Sequence, residues 1–303
     1  MVQFRIVRFD DAHNPVERLA LAVAVEPDRQ RPLPLRQRED AVRQILQTAA
    51  DAGISMVATK PSGEGERLLG QSWPFPSPFR VSVRTVQLAE GLDRAEARAR
   101  RSLEHMGLPR GDVVLVQSAS DLAGEEGRAL WKRLQGLKDR GLFRKVGFIA
   151  NIEDSPAVLA RRFQPDVVQL PCNVLDQRAR KNGTIDSLAE MGVDVHLSSV
   201  FAKGLLFTTS DRLPENYRAF APYLSRVRRR MAEARVDPMQ AALTFGLNLE
   251  GVERVIVKVS SPAQLRAILA ASYAPCADID WSSMALDDPS GAMLGGLRVV
   301  TAA

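Results

Sequence analysis

The chain has 303 residues, of which 45% are hydrophobic and 25% are charged, and its formal net charge is +5. This composition is typical of a globular protein with a large core, and it excludes a disordered, collagen-like or small disulfide-stapled chain. The sequence lacks an apolar run long enough for a membrane span, and its start lacks the basic flank and apolar stretch of a signal peptide. We therefore expect a cytoplasmic protein without a membrane partner.

Cysteine and histidine are too few and too scattered to form a disulfide framework or a metal centre. Cys172 and Cys276 are expected to remain reduced, buried thiols, although Cys172 could alternatively act as a nucleophile. His13 and His105 have no partners at metal-ligand spacing, so no metal site is predicted.

The basic residues, mostly arginine, cluster at 98–101 and 226–230. Such clusters can bind phosphates, but both lie among helix-forming residues with glutamates close by. No nucleic-acid-binding motif accompanies them. We interpret them as solvated helix faces and predict no nucleic-acid partner.

Eight short runs rich in Val, Ile and Leu predict strands. The runs are apolar on consecutive residues, as in parallel strands that are covered on both faces of the sheet. The predicted strands are 19–25, 54–59, 80–86, 112–117, 145–150, 166–171, 193–199 and 253–259.

The segments between the runs have helical periodicity and often end at a glycine, as at Gly53 and Gly141. Eight alternating strand and helix units favour a closed (β/α)8 TIM barrel, and no glycine-rich turn of a Rossmann domain follows the first strand. We predict one domain over residues 1–303, with a long loop after strand seven, at about 202–237, and a C-terminal tail at about 273–303.

Several segments match a known family in order along the chain. The letters RSLEHMGL stand at 101–108, before the predicted strand DVVLVQ at 112–117, AADAGI stands at 49–54 and GLFRKVG at 141–147. With further matches between about residues 15 and 272, they resemble the helices and strands of aldo-keto reductases. The resemblance implies a barrel that reduces carbonyl compounds with a nicotinamide cofactor at the carboxyl ends of its strands.

The resemblance also locates the four catalytic positions of the family. Its members protonate the carbonyl oxygen with a tyrosine, which an aspartate, a lysine and a histidine assist. Valine has no titratable group, serine is a very weak acid, arginine keeps its proton and a glutamine amide does not titrate. The matching positions here are Val57 for aspartate, Ser62 for tyrosine, Arg84 for lysine and Gln117 for histidine. We therefore predict that ordinary carbonyl reduction is absent, because losing acid catalysis alone costs about 10²–10⁴-fold in rate.

The family's cofactor groove is matched in part. Ser198 replaces the aromatic residue that stacks on the nicotinamide, and Gln264 replaces an arginine near the adenosine phosphate. The residues that match the family's cofactor contacts are Asn151 and Gln169 at the carboxamide, Ser199 at the pyrophosphate, and Lys258 and Ser261 at the 2′-phosphate of NADP. The resemblance thus implies that NADP(H) binds weakly.

The same polar residues have structural interpretations that the sequence leaves open. Asn151 and Gln169 could satisfy each other or the backbone at the mouth of the barrel. Lys258 and Ser261 could be a strand end and a helix N-cap.

One strand carries an aspartate, a histidine and a serine on alternate positions. Asp194, His196 and Ser198 share a strand face, which is also the set of a catalytic triad. Side chains spaced about 7 Å apart along one strand do not converge, so a buried, hydrogen-bonded histidine is the favoured interpretation.

Two hypotheses about function follow. The first is a catalytically degenerate barrel that binds a nucleotide, a metabolite or a protein partner. The second is an NAD(P)-dependent oxidoreductase with remodelled chemistry, in which Lys60, Glu64, Arg84 and Gln117 line the mouth and bind an anionic substrate.

Overall fold

A computed structural model describes residues 14–24, 34–275 and 279–286. The predictions for His13 and Cys276 lie outside the described residues. So do the last residue of the predicted strand 19–25 and much of the predicted tail.

Eight parallel strands form a closed barrel in which each strand pairs with its neighbours in the chain and the last pairs with the first. The predicted (β/α)8 fold class is confirmed, with strand ends that differ by at most two residues. The strands are β1 Leu19–Val23, β2 Met56–Ala58, β3 Arg80–Arg84, β4 Gly111–Val116, β5 Phe143–Ile149, β6 Val167–Pro171, β7 Asp194–Ser198 and β8 Val252–Val259.

Helices fill the connections between the strands. The described helices are α1 Leu35–Asp51, α2 Gly63–Gly70, α3 Leu92–His105, α4 Gly124–Asp139, α5 Pro156–Phe163, α6 Arg178–Lys181, α7 Thr184–Glu190, α8 Ala221–Glu233, α9 Pro238–Leu247 and α10 Pro262–Ser272. The predicted stop after α1 is confirmed at Gly53, whose φ of 87° favours glycine.

The apolar side chains form two layers, one on each side of the sheet. The outer layer packs the strands against the helices and includes Val57, Ile45 and Phe143. The inner layer fills the barrel, and its buried members are Ala20, Met56, Ala58, Val113, Leu115, Val167 and Ile256. Because successive strand residues point to opposite faces, the inner layer identifies the residues that face the barrel axis.

The connection between β7 and β8 and the described part of the tail pack onto the barrel. The predicted loop at about 202–237 contains three short 3-10 turns and α8. In the tail, the ring of Trp281 lies 5.7 Å from that of Phe245. The Trp281 carbonyl accepts a hydrogen bond of 2.6 Å from Gln177, which follows β6.

The predicted arginine clusters lie on α3 and α8 and make intramolecular contacts. Arg98 donates to Glu66 at 2.6 Å and Arg100 to Glu96 at 3.1 Å. On α8, Arg228 donates to a backbone carbonyl. Most of these arginines are exposed, as expected for solvated helix faces. Arg98 is not, because its side chain is 13% exposed and pairs with the buried Glu66. Within the described ranges, none of the helices is both long and apolar enough to cross a bilayer.

Candidate ligand site at the mouth of the barrel

A cavity of about 230 Å³ lies at the carboxyl ends of β1, β2, β3 and β8 and extends under α1 and α2. One wall is apolar and is formed by Ala22, Val23, Val42, Ala58, Leu68 and Leu69. The polar side chains that line it are Thr59, Lys60, Ser62, Glu66, Arg84 and Lys258. The cavity therefore joins an apolar surface to a group of cations.

Strand alternation brings the cations to the cavity. Arg84 lies two residues after Ser82 on β3, and Ser82 is paired with the inward-facing Ala58. Lys258 lies two residues after the inward-facing Ile256 on β8. Both side chains consequently face the barrel axis at the mouth.

The guanidinium of Arg84 is the most unusual polar group of the cavity. It is mostly buried, and that burial lowers its pKa. Within the described part of the chain, no carboxylate pairs with it and no side chain or carbonyl accepts a hydrogen bond from it. A buried cation without a partner costs free energy, and a perturbed charged group that lines a cleft is a candidate for a functional site.

Glu66 is the one carboxylate among the described residues that line the cavity, and its charge is already paired. It is 1% exposed. One of its oxygens, Oε2, accepts from Arg98 at 2.6 Å and from Nδ1 of His105 at 3.1 Å. The exposed Lys258, by contrast, makes no ion pair or hydrogen bond with the residues that the structure describes. The cavity is therefore electropositive.

The residues predicted at the nicotinamide do not bind each other. Gln169 is 2% exposed, and its Oε1 atom has no hydrogen-bond partner among the described residues. Asn151 is exposed, and its backbone N–H donates to the Asp154 carboxylate at 2.7 Å. The alternative in which the two side chains satisfy each other is therefore wrong for this pair, and the Oε1 atom of Gln169 keeps its acceptor capacity as far as the described residues go.

The residues predicted at the phosphates of the cofactor are held by local contacts. Ser199 has a φ of 57°, and its carbonyl accepts from the Asn173 side chain at 3.1 Å. The hydroxyl of Ser261 caps α10 by accepting from the backbone N–H of Gln264 at 3.2 Å. The Gln264 side chain in turn accepts from the backbone N–H of Ser260 at 2.8 Å. The N-cap interpretation of Ser261 is confirmed.

The sequence matches the model of the Aldo/keto reductase family over residues 35–285. This match covers most of the chain. The chain belongs to the aldo/keto reductase family. Members of this family generally bind NAD(P)H. No curated protein sequence matches this family member.

Solved structures of aldo/keto reductases share the fold of this family member. The holo form of aldo-keto reductase AKR11C1 from Bacillus halodurans is 18% identical with a TM-score of 0.65, over 86% of this chain and 87% of that one. The glycerol dehydrogenase AKR11B4 from Gluconobacter oxydans is 16% identical with a TM-score of 0.66, over 84% and 86% of the two chains. The aldose reductase from Giardia lamblia is 13% identical with a TM-score of 0.64, over 88% and 91%.

The positions matched to the family's catalytic residues do not all reach the cavity. Val57 packs in the outer layer, and the inward-facing residue of β2 at the cavity is its neighbour Ala58. Ser62 and Arg84 line the cavity. Gln117 is not among the lining residues, and its Oε1 atom is buried without a hydrogen-bond partner in the described part of the chain.

The three tyrosines of this family member all lie away from the cavity. Tyr217 is buried in the connection after β7, and burial raises its pKa. Tyr223 donates to the Met284 carbonyl, and burial raises its pKa as well. Tyr273 is exposed and donates to Asn14 at 3.2 Å. A tyrosine that acts as an acid catalyst requires the opposite shift, because a phenol donates its proton more readily when its pKa is lowered.

The geometry disfavours catalysis at two other positions, Cys172 and His196. Cys172 is a free, buried cysteine, and burial raises its pKa to about 12, which disfavours the nucleophilic thiolate. His196 is buried with Nδ1 unpaired, while Asp194 binds Lys145 instead. No hydrogen bond within the described residues links Asp194, His196 and Ser198, and the hydrogen bond expected of a buried histidine is missing at Nδ1.

Sequence reasoning missed Glu66 and the apolar wall from α2. It proposed Glu64 at the mouth, but Glu64 is exposed, binds Arg38 at 2.7 Å and does not line the cavity. A helical period places Glu66 on the same face of α2 as Leu69, so the spacing carried a signal for its burial. Lys60, proposed with Glu64, does line the cavity.

Proposed function

We propose that this aldo/keto reductase family member does not carry out ordinary carbonyl reduction and instead binds a small ligand at the mouth of its barrel. The proposal is supported by the cavity, which presents the guanidinium of Arg84 without a partner among the described residues and is lined by none of the three tyrosines. A guanidinium stays protonated at neutral pH, so it binds an anion well and transfers a proton badly.

The fit of a nicotinamide cofactor to the described residues is partial. Gln169 offers a buried, free acceptor for the carboxamide, and Lys258 offers a cation at the rim. The hydroxyl of Ser261 already accepts a hydrogen bond from the backbone N–H of Gln264. These residues would supply one contact at the nicotinamide end and little at the phosphate end, which supports weak binding of NADP(H).

Two measurements test this proposal. NADPH is titrated into the protein by fluorescence or calorimetry, with Lys258→Ala as the comparison, and turnover is then measured on a panel of aldehydes. We expect weak NADPH binding that the substitution weakens further, and no turnover above background. Rapid reduction of any aldehyde with NADPH would refute the proposal.

A remodelled NAD(P)-dependent oxidoreductase is the second candidate. It is favoured by the free Oε1 atom of Gln169, since a buried acceptor without a partner is the feature a carboxamide N–H would satisfy. The NADPH titration decides between the two candidates when the Gln169→Leu variant is titrated beside the wild type. Tight NADPH binding that Gln169→Leu abolishes supports the oxidoreductase.

A further inference from the structure

We propose that the ligand of the mouth cavity is a small organic carboxylate, with its carboxylate on Arg84 and its apolar part against the wall from α1 and α2. This inference rests on the proposed ligand-binding function and names the chemical class of the ligand. It follows from the charge, the shape and the size of the cavity.

Charge selects an anion. Arg84 lacks a counter-ion within the described residues, and Lys258 at the same cavity also lacks one. The carboxylate of Glu66 is held by Arg98 and His105, so it does not neutralise the guanidinium. A carboxylate can accept two parallel hydrogen bonds from a guanidinium, and this bidentate pair is among the stronger charge-assisted contacts.

Shape selects an anion with an apolar part. The cavity continues from Arg84 to an apolar wall that includes Val42 of α1 and both Leu68 and Leu69 of α2. Apolar contact contributes roughly 25 cal/mol per Å² of buried surface. Inorganic phosphate would leave this wall uncovered, whereas an aryl or alkyl carboxylate would cover it.

Size favours a ligand smaller than a dinucleotide inside this cavity. Its volume is about 230 Å³. Pockets for drug-sized ligands measure about 300–1,000 Å³. A carboxylate that carries a single ring or a short alkyl chain matches the volume of this cavity.

The experiment compares two probes of the same shape. Benzoate and benzamide are titrated by calorimetry at constant ionic strength into the wild-type protein, Arg84→Met and Arg101→Met. Arg101 is an exposed residue of α3 without an ion pair among the described residues, so its substitution removes the same charge away from the cavity. Circular dichroism shows that each variant is folded.

We expect benzoate to bind the wild type at least about tenfold more tightly than benzamide, which is a difference of about 1.4 kcal/mol. The preference should disappear in Arg84→Met and persist in Arg101→Met. Equal binding of the two probes, or a preference that survives Arg84→Met, would overturn the inference. If inorganic phosphate displaces benzoate at equal concentration, the inference that the ligand has an organic, apolar part is overturned.

These outcomes are separate from those that test the proposed function. Loss of the benzoate preference leaves ligand binding without carbonyl reduction intact. Aldehyde turnover with NADPH removes the proposed function but does not change the measured preference for an anion.

Discussion

Arg84 combines burial with the lack of a counter-ion in the described part of the chain, and this combination costs stability in the free protein. Natural proteins tolerate such costs where a ligand later offsets them, and removing the group then stabilises the empty protein.

Val57 and Ala58 show why the neighbourhood of Arg84 is hard to predict from the sequence. Both are apolar and buried, so neither indicates which of them faces the axis.

Arg84→Met should raise the free energy of unfolding by about 1 kcal/mol, because methionine fills similar space without a charge to desolvate. Urea denaturation at pH 7 without added ligand measures it. Arg101→Met, which is exposed, should change the value by less than about 0.5 kcal/mol. A loss of stability in Arg84→Met would show that the guanidinium has a structural partner.

Glu66→Gln should lower the free energy of unfolding by about 2 kcal/mol. The substitution removes the charge that holds Arg98 and His105 between α2 and α3, and breaking a buried pair leaves the remaining cation uncompensated. The matched control is Glu64→Gln, two residues earlier, because the exposed pair of Glu64 with Arg38 should contribute less than about 1 kcal/mol. Thermal or urea unfolding compares the two, and equal effects would contradict the assigned role of Glu66.

At the scale of the elements, the apolar runs predicted all eight strands, because covered parallel strands are apolar on both faces. The same property hides the inward and outward alternation. The family match placed the aspartate position at Val57, and only the structure identifies Ala58 as the inward residue of β2. In β3, polar Ser82 and Arg84 alternate with apolar residues, and Arg84, which the sequence analysis proposed at the mouth, does line the cavity.

Strand β5 requires a glycine where it meets β6. A Cβ atom at Gly147 would lie 2.0 Å from the Val167 carbonyl oxygen and 2.9 Å from the Leu115 side chain. Gly147→Ala should therefore cost about 3 kcal/mol, since neither backbone nor packed leucine can yield cheaply.

Gly136→Ala in α4 is the control for this substitution. Its Cβ would meet only the end of the flexible Arg140 side chain at 3.3 Å, and alanine favours helix over glycine by up to about 1 kcal/mol. We expect a slight stabilisation there by thermal unfolding. A Gly147→Ala protein as stable as the wild type would show that β5 and β6 can separate.

At the scale of the whole molecule, the cavity could not be predicted because its walls come from segments far apart in the chain. Ala22 and Lys258 lie at opposite ends of the sequence and meet only because β8 closes against β1. Local spacing in the sequence bears on cysteine, metal and triad patterns, whereas the contacts of Glu66 with Arg98 and His105 form between α2 and α3 and are visible only in the fold.

The stability of the barrel should depend on pH through His196, which is 2% exposed inside it. Burial lowers its pKa from 6.5 to about 4, and the charges near the ring include Asp194, Lys145, Arg254 and Asp112. Between pH 6.5 and 4 the unfolded chain binds a proton at this histidine and the folded protein does not. The free energy of unfolding therefore falls as the pH is lowered through this window.

The size of this effect follows from about 1.4 kcal/mol per pKa unit, which gives a loss of about 2–3 kcal/mol from pH 7.5 to 4.5 at this residue. Urea denaturation of the wild type and of His196→Gln at both pH values measures it. Other titrating groups are common to both proteins, so the variant should lose about 2 kcal/mol less than the wild type on acidification. Identical losses would mean that His196 takes up its proton equally in the folded and unfolded states, and the ring would then have to be accessible to solvent or paired with Asp194.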